Sequence, residues 1–228
     1  MKQLLILSFF FLATFNSGFS QSATNTAEQE AAYTKAINDR SDKIVAQLGV
    51  TDPAKAAKVQ ALIAGQYRSL SNLHTSRDNK IKEIKAKGDS KETTDAAVKK
   101  EEEEAQAQIN KLHASYINQL SQHLSSDQVI KVKDGMTYNV TPNTYNSYLD
   151  MLPNLNADQK AQIMAWLVEA REHAMDAETS DKKHAWFGKY KGRINNYLSA
   201  AGFDLKKEGE AWQQRIKEKE AKKNTTKN

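Results

Sequence analysis

The segment IKAKGDSKETT, residues 84–94, decides the fold because it is a very short turn between two long helical segments. Apolar residues recur at helical spacing over residues 59–73 before the turn, and again over residues 98–120 after it. Gly88 stands where the C-terminal end of a helix favours glycine. Two long helices joined by so short a connection are predicted to pack antiparallel, as a hairpin.

The composition favours a purely helical protein. Glycine and proline are scarce, with 9 and 3 residues among 228, and runs of β-branched residues are nearly absent. The segment 157–176 is apolar on more than one side, which is typical of a helix in the middle of a bundle. The predicted fold class is therefore all-α: a long antiparallel helical hairpin packed with a C-terminal helical bundle.

The N-terminal residues 1–20 have the features of a signal peptide. Lys2 gives a positive start, residues 4–15 are almost entirely apolar, and Gly18-Phe19-Ser20 offers small residues for cleavage. The apolar run is too short for a permanent membrane span, so no span is expected after cleavage. The chain contains no cysteine, which excludes a lipoprotein anchor and disulfide bonds. The sequence thus predicts an exported protein, periplasmic or secreted.

Two capping boxes, beginning at Ser125 and at Asn156, flank the least helical part of the chain. Between them, Lys133-Asp134-Gly135 is predicted to break a helix, and residues 136–140 alternate weakly, as a short extended segment would. This predicts an N-terminal hairpin region, 21–132, and a C-terminal helical region, 133–228, with a frayed tail. We expect the two regions to share one core.

Basic and aromatic residues interleave most densely over residues 182–197. Aromatic rings suit the apolar faces of sugars, while amide, ammonium and guanidinium donors suit hydroxyl groups and uronate carboxylates. The alternative is that the aromatic residues are core and the lysines coat the opposite helix face. The candidate ligand-binding residues are Trp186, Lys189, Tyr190, Lys191, Arg193, Asn196 and Tyr197.

A second group of candidates is a polar cluster on the preceding helical segment and the start of the next. A glycan hydrolase or lyase could use dispersed carboxylates together with a histidine, although no local motif supports an enzyme. Arg171 and Glu172, with Lys182 and Lys183 nearby, could instead form a buried network that orients neighbouring helices. The cluster consists of Glu169, Arg171, Glu172, Asp176 and His184.

Several function classes find no support in the sequence. Glu169 and His173 have a spacing that could share a metal, but no third ligand follows, so we expect no metal and no cofactor. No nucleophile elbow or phosphate-binding loop occurs, so no motif supports an enzyme and no catalytic residue is assigned, although catalytic residues need not form local motifs. The formal net charge of +5 is spread over charges of both signs, so nucleic acid is not an expected partner.

Two short segments resemble the Leu-Thr-x-x-Gln repeats of small periplasmic helical chaperones of the Spy and CpxP type. They are Leu124-Ser-Ser-Asp-Gln128 and Leu155-Asn-Ala-Asp-Gln159, with Ser125 and Asn156 in place of threonine. The resemblance implies a cradle of long helices that holds unfolded proteins.

A longer resemblance covers the mature chain and is densest over residues 133–205. It is carried by EAREHAMD at 169–176 and KHAWFGKYKGRINNYL at 183–198, with KDGMT at 133–137, LPNL at 152–155 and AGFDL at 201–205. These segments resemble an exported Bacteroidota family catalogued as domain of unknown function 3826, for which sugar binding has been suggested. The resemblance implies an exported protein that binds carbohydrate.

Three functional hypotheses follow. The first is an exported, non-catalytic protein that binds carbohydrate, with lysines that favour acidic sugars, or that assists a glycan-utilisation system. The second is a chaperone-like scaffold, which requires an exposed apolar surface on the hairpin. The third is a glycan-active enzyme without a recognisable motif. No pattern in the sequence defines an oligomeric state.

Overall fold

The computed structural model describes residues 18–225, which form eight helices and no strand. The all-α prediction is confirmed. Apart from residues 18–20, which begin the first helix, the predicted signal peptide lies outside the described residues. The helices are α1 Gly18–Val45, α2 Pro53–Ala86, α3 Lys91–Ser121, α4 Ser126–Met136, α5 Val140–Met151, α6 Ala157–Met175, α7 Ser180–Ala200 and α8 Leu205–Thr225.

Helices α2 and α3 form the long hairpin, and the turn between them contains Gly88 at φ +72°. Asp52 caps α2, since its carboxylate accepts a hydrogen bond from the Ala54 amide at 2.9 Å. The hairpin buries one apolar stripe from each helix against α1 and α4. This first core includes Val59, Ile63, Tyr116, Leu120, Val132 and Met136.

The predicted helix break at residues 133–135 is wrong. Helix α4 continues through Gly135 to Met136, and there is no extended segment in 136–140. A Cβ built on Gly135 would lie 2.8 Å from Cγ1 of Ile44, so this glycine allows α1 and α4 to pack closely. The chain turns instead at Tyr138 and Asn139, which both adopt left-handed backbone conformations, at φ +59° and +55°.

Helices α5, α6 and α7 form the second core, with α6 at its centre. Phe187, Ile194 and Leu198 of α7 are almost fully buried against Ile163 and Leu167 of α6. Both predicted capping boxes are present, at the starts of α4 and α6. The position of α6 matters for the site, because the C-terminal end of this helix meets the hairpin.

The two cores meet through α6, whose last residue, Met175, packs in the first core. Helix α4 crosses the predicted boundary between residues 132 and 133, because its residues on both sides of that boundary pack in the first core. Helix α8 lies against α5, where Trp212 Nε1 donates a hydrogen bond to Asp150 at 2.6 Å. The described helices include no segment apolar and long enough to span a membrane. The regions 21–132 and 133–228, and the frayed end of the tail, remain predictions.

Candidate binding groove

The hairpin is joined to the C-terminal end of α6 by His74 of α2. Nε2 of this buried histidine lies 2.8 Å from the backbone oxygen of Asp176, and Nδ1 lies 3.0 Å from Nη1 of Arg77. A carbonyl oxygen only accepts and a guanidinium only donates, so the hydrogen is on Nε2 and Nδ1 is the acceptor. Both ring nitrogens therefore have fixed partners.

Arg77 continues this junction across to the turn between α6 and α7. Its Nη2 lies 3.0 Å from Oε2 of Glu178 and 2.6 Å from Oδ1 of Asp78. The same Glu178 oxygen accepts a 2.5 Å bond from Lys182. The hydrogen bond from Lys182 is the main reason that the pKa of Glu178 is lowered. Glu178 thus links one cation of α2 to one of α7.

A third connection comes from α3. His113 lies between the carboxylates of Glu172, in α6, and Asp176, which follows α6, with Nδ1 2.8 Å from Asp176 Oδ2 and Nε2 3.3 Å from Glu172 Oε2. The hydrogen bonds to Asp176 and then to Glu172 raise the pKa of His113 to about 9. Burial alone would raise the pKa of Glu172, but bonds from His113 and Lys133 lower it to about 2. His113 is therefore a cation at neutral pH.

The network continues into α4 through Arg171, whose side chain is only 6% exposed. Arg171 Nη1 lies 2.9 Å from Asp134, and its Nη2 lies 3.4 Å from Glu172. Lys133 reaches the same Glu172 at 2.7 Å. The contacts of Arg171 and Glu172 therefore form a network that orients neighbouring helices, as the second interpretation of the polar cluster expected. The partners in this network are Lys133 and Asp134, and not Lys182 and Lys183.

Lys183 has a separate place at the end of α6. Its buried ammonium donates to the backbone oxygens of Ala174 and Met175, at 2.9 and 3.0 Å. Burial lowers the pKa of Lys183 to about 8. Because the last carbonyls of a helix lack their regular intrahelical donors, this lysine caps the C-terminal end of α6 and attaches α7 to it.

A groove of about 670 Å³ opens where the hairpin, the end of α6 and the start of α7 meet. Its volume lies in the range of small-molecule sites. Its walls combine an aromatic ring, amides, cations and paired carboxylates. We call it the binding groove; it is lined by His74, Arg77, Gln106, Ile109, Asn110, His173, Asp176, Ala177, Glu178, Lys182, Ala185, Trp186 and Lys189.

Trp186 is the principal aromatic side chain of the binding groove. The exposed ring of His173 stacks on it with centroids 4.3 Å apart and planes 15° apart. Nζ of Lys189 lies 5.0 Å from the Trp186 centroid, within cation–π range. In the described part of the chain, Lys189 has no carboxylate partner, so its charge is free to pair with an acidic ligand.

The other predicted ligand residues lie outside the binding groove. Tyr190 is buried beside His173, with ring centroids 6.2 Å apart. Farther along α7, Arg193 covers the Trp166 ring at 4.5 Å, and Tyr197 meets the same ring edge-on at 5.3 Å. The side chains of Arg193 and Tyr197 therefore pack on Trp166, outside the binding groove. Lys191 and Asn196 are exposed and do not line the groove.

The carboxylates and the histidine of the predicted polar cluster do not meet in one cleft. Only Asp176 lines the binding groove. Glu169 pairs with Arg193 at 3.6 Å, and His184 stacks on Tyr138 with centroids 5.3 Å apart. Within the described residues, no group of three or more His, Asp or Glu side chains is arranged to hold a metal ion.

The sequence reasoning missed the hairpin side of the groove. The residues that the hairpin contributes, among them His74, Arg77, Gln106 and Asn110, lie more than 70 positions before Trp186 along the chain. The hairpin prediction could have indicated them, since an antiparallel pair brings the middle of one helix beside the middle of the other. No local motif marks them.

These features define a class: an all-helical protein in which a hairpin and a bundle enclose a polar and aromatic groove. Residues 34–218 match a family described as a protein of unknown function, DUF3826. The chain belongs to this family, as its sequence resemblance indicated. None of the curated proteins compared with the chain matches it. These comparisons lend no support to the likeness to Spy and CpxP.

Proposed function

We propose that the protein is a non-catalytic carbohydrate-binding protein and that the binding groove takes a glycan. The observation that carries the proposal is the combination of Trp186, the free Lys189 ammonium and the Asn110 and Gln106 amides in one groove of about 670 Å³. Sugars present apolar faces and hydroxyl edges, and this lining offers partners for both.

Lys189 favours an acidic sugar over a neutral one. The other charges of the groove are already paired: Asp176 with His113, and Glu178 with Arg77 and Lys182. A sugar face can displace the flexible Lys189 chain from the Trp186 ring, and the ammonium then remains within reach of a carboxylate on that sugar.

The scaffold hypothesis requires an exposed apolar surface, and the described residues expose few large apolar side chains. Ile130 and Tyr138 are the large apolar side chains with high exposure, at 45% and 43%. They lie on α4 and on the turn that follows it, and not on the long hairpin itself. The enzyme hypothesis loses its main support because the acidic candidates do not share one cleft: Glu172 and Asp176 are both held by His113, whereas Glu169 pairs with Arg193.

The test is a glycan array that contains acidic and neutral polysaccharides, followed by titration of the strongest ligand into variants. We expect Trp186→Ala to abolish binding and Lys189→Gln to weaken binding of acidic glycans more than of neutral ones. Lys191→Gln is the matched control, since it removes a charge from the same helix outside the groove. Unchanged binding by the folded Trp186→Ala variant would place the site elsewhere.

Export belongs to the same proposal. A glycan-binding protein of this kind acts outside the cytoplasm, as the predicted signal peptide in residues 1–20 indicates. Fractionation of cells that express the full chain tests this. We expect the protein outside the cytoplasm with its N-terminus near Gln21, whereas an intact Met1 in the cytosolic fraction would contradict export.

A further inference from the structure

We propose that the binding groove holds a glycan chain along its length, in several subsites, and not a single terminal sugar. This inference rests on the proposed function and adds the kind of ligand. It comes from a second cavity, of about 470 Å³, that adjoins the binding groove. The two cavities share Arg77, Gln106, Ile109 and Lys182 in their linings, so they lie side by side.

The second cavity, which we call the extension, follows the hairpin toward its turn. Its lining includes Ile81 and Lys85 of α2 and Val98 and Glu102 of α3. From Val98 to Asn110 the lining covers roughly 18 Å along α3, at 1.5 Å per residue. That length is several times that of one sugar ring.

The shape of the cavity walls favours binding of the internal units of a glycan chain. In the binding groove, α7 and the hairpin both contribute walls, whereas Lys182 is the one α7 residue that lines the extension. A ligand that leaves the binding groove would pass the side chains of Arg77 and Lys182, which both pair with Glu178, and continue along the hairpin surface.

The chemistry of the extension also fits sugar units. Ile81 and Val98 offer apolar surface, and Lys85 and Glu102 offer a donor and an acceptor without a carboxylate or ammonium partner in the described residues. At the junction, Nε2 of Gln106 donates to Oδ1 of Asn110 at 2.9 Å. This bond leaves the Gln106 oxygen and the Asn110 amide hydrogens available for hydroxyl groups.

The experiment is calorimetric titration of the folded protein with oligogalacturonides from disaccharide to octasaccharide, and with cello-oligosaccharides of the same lengths as the neutral series. We expect affinity to rise with chain length by at least about tenfold, or ~1.4 kcal/mol, before it levels off. The double variant Lys85→Ala/Glu102→Ala should lower the affinity for long chains to that for short ones and leave the disaccharide unchanged. Lys58→Ala, an exposed position elsewhere on α2, is the control.

The outcomes separate the two proposals. If the disaccharide binds as tightly as the octasaccharide and Trp186→Ala abolishes both, the chain inference is wrong and the proposed function stands. The chain inference is equally wrong if the double variant binds long chains like the parent protein. If neither series binds to the folded protein at any length, the chain inference and the glycan proposal both fail.

Discussion

The ion pairs of His113 make the stability of this protein depend on pH in a defined direction. Its pKa in the folded protein is about 9, above the ordinary value of 6.5, because Asp176 and Glu172 hold the charged form. A raised histidine pKa contributes stability that is fully present below pH 6.5 and is lost as pH rises through 9. The substitution His113→Gln removes this contribution.

The size of the effect follows from the same values. A shift from 6.5 to about 9 corresponds to a loss of roughly 2 kcal/mol in the free energy of unfolding between pH 6 and pH 8. Since 21% of the His113 side chain is exposed, solvent screening reduces the expectation to about 1–2 kcal/mol. Glu172 does not titrate in this interval, because its lowered pKa of about 2 places its loss of stabilisation below pH 4.5.

The assay is urea unfolding at pH 6, 7 and 8 for the parent protein and the variant. Lys183, with its pKa lowered to about 8, titrates in both proteins, so its contribution largely cancels in the difference. We expect the two proteins to differ most at pH 6 and to converge toward pH 8. His123→Gln, beyond the end of α3, is the control, because the described residues give His123 no ion pair. A difference between parent and His113→Gln that is constant with pH would show that these ion pairs do not set the pH dependence.

Three further substitutions test the packing and the network. Gly135→Ala should destabilise the protein by roughly 1–3 kcal/mol, because the added Cβ would lie 2.8 Å from Ile44 Cγ1. Ile44→Ala removes that atom, so in urea unfolding the double variant should lose less stability than the sum of the two single variants. An equally stable Gly135→Ala protein would argue against a close α1–α4 contact. Asn156→Ala removes the cap of α6 and should cost about 1 kcal/mol in the same assay, so an unchanged unfolding midpoint would count against that cap. Arg171→Met leaves the largely buried Asp134 without its cation and should lower the free energy of unfolding by roughly 3 kcal/mol. The double variant Arg171→Met/Asp134→Leu should be more stable than Arg171→Met alone. The opposite order of stability would contradict the pairing of Arg171 with Asp134.

The hairpin and the helix caps were predictable because they depend on local sequence. The short turn at residues 87–90 and the capping boxes act within a few residues, and neighbouring packing does not override them. Gly135 shows the limit of that reasoning. Its local sequence is typical of a helix end, but its role is a contact with Ile44, 91 positions away, that requires the absence of a side chain.

The candidate site was only partly predictable for the same reason. Trp186 and Lys189 belong to a segment rich in aromatic and basic residues, and this composition predicted them as ligand-binding residues. Arg77 and Asn110 stand in ordinary hairpin sequence and become groove residues only when α6 ends beside them. The composition of a segment identifies side chains that could bind a ligand, whereas the packing of helices decides which of them face a common space.

Whether a glycan occupies the binding groove can be read from the indole resonances of Trp166, Trp186 and Trp212. The folded protein, labelled with ¹⁵N, is titrated with the glycan that gives the strongest array signal, and each indole signal is assigned by a Trp→Phe variant. If the glycan lies in the groove, the Trp186 signal shifts in proportion to occupancy, while that of Trp212, hydrogen-bonded to Asp150, stays in place. Saturation with the glycan while the Trp186 signal remains unchanged would mean that the glycan binds elsewhere.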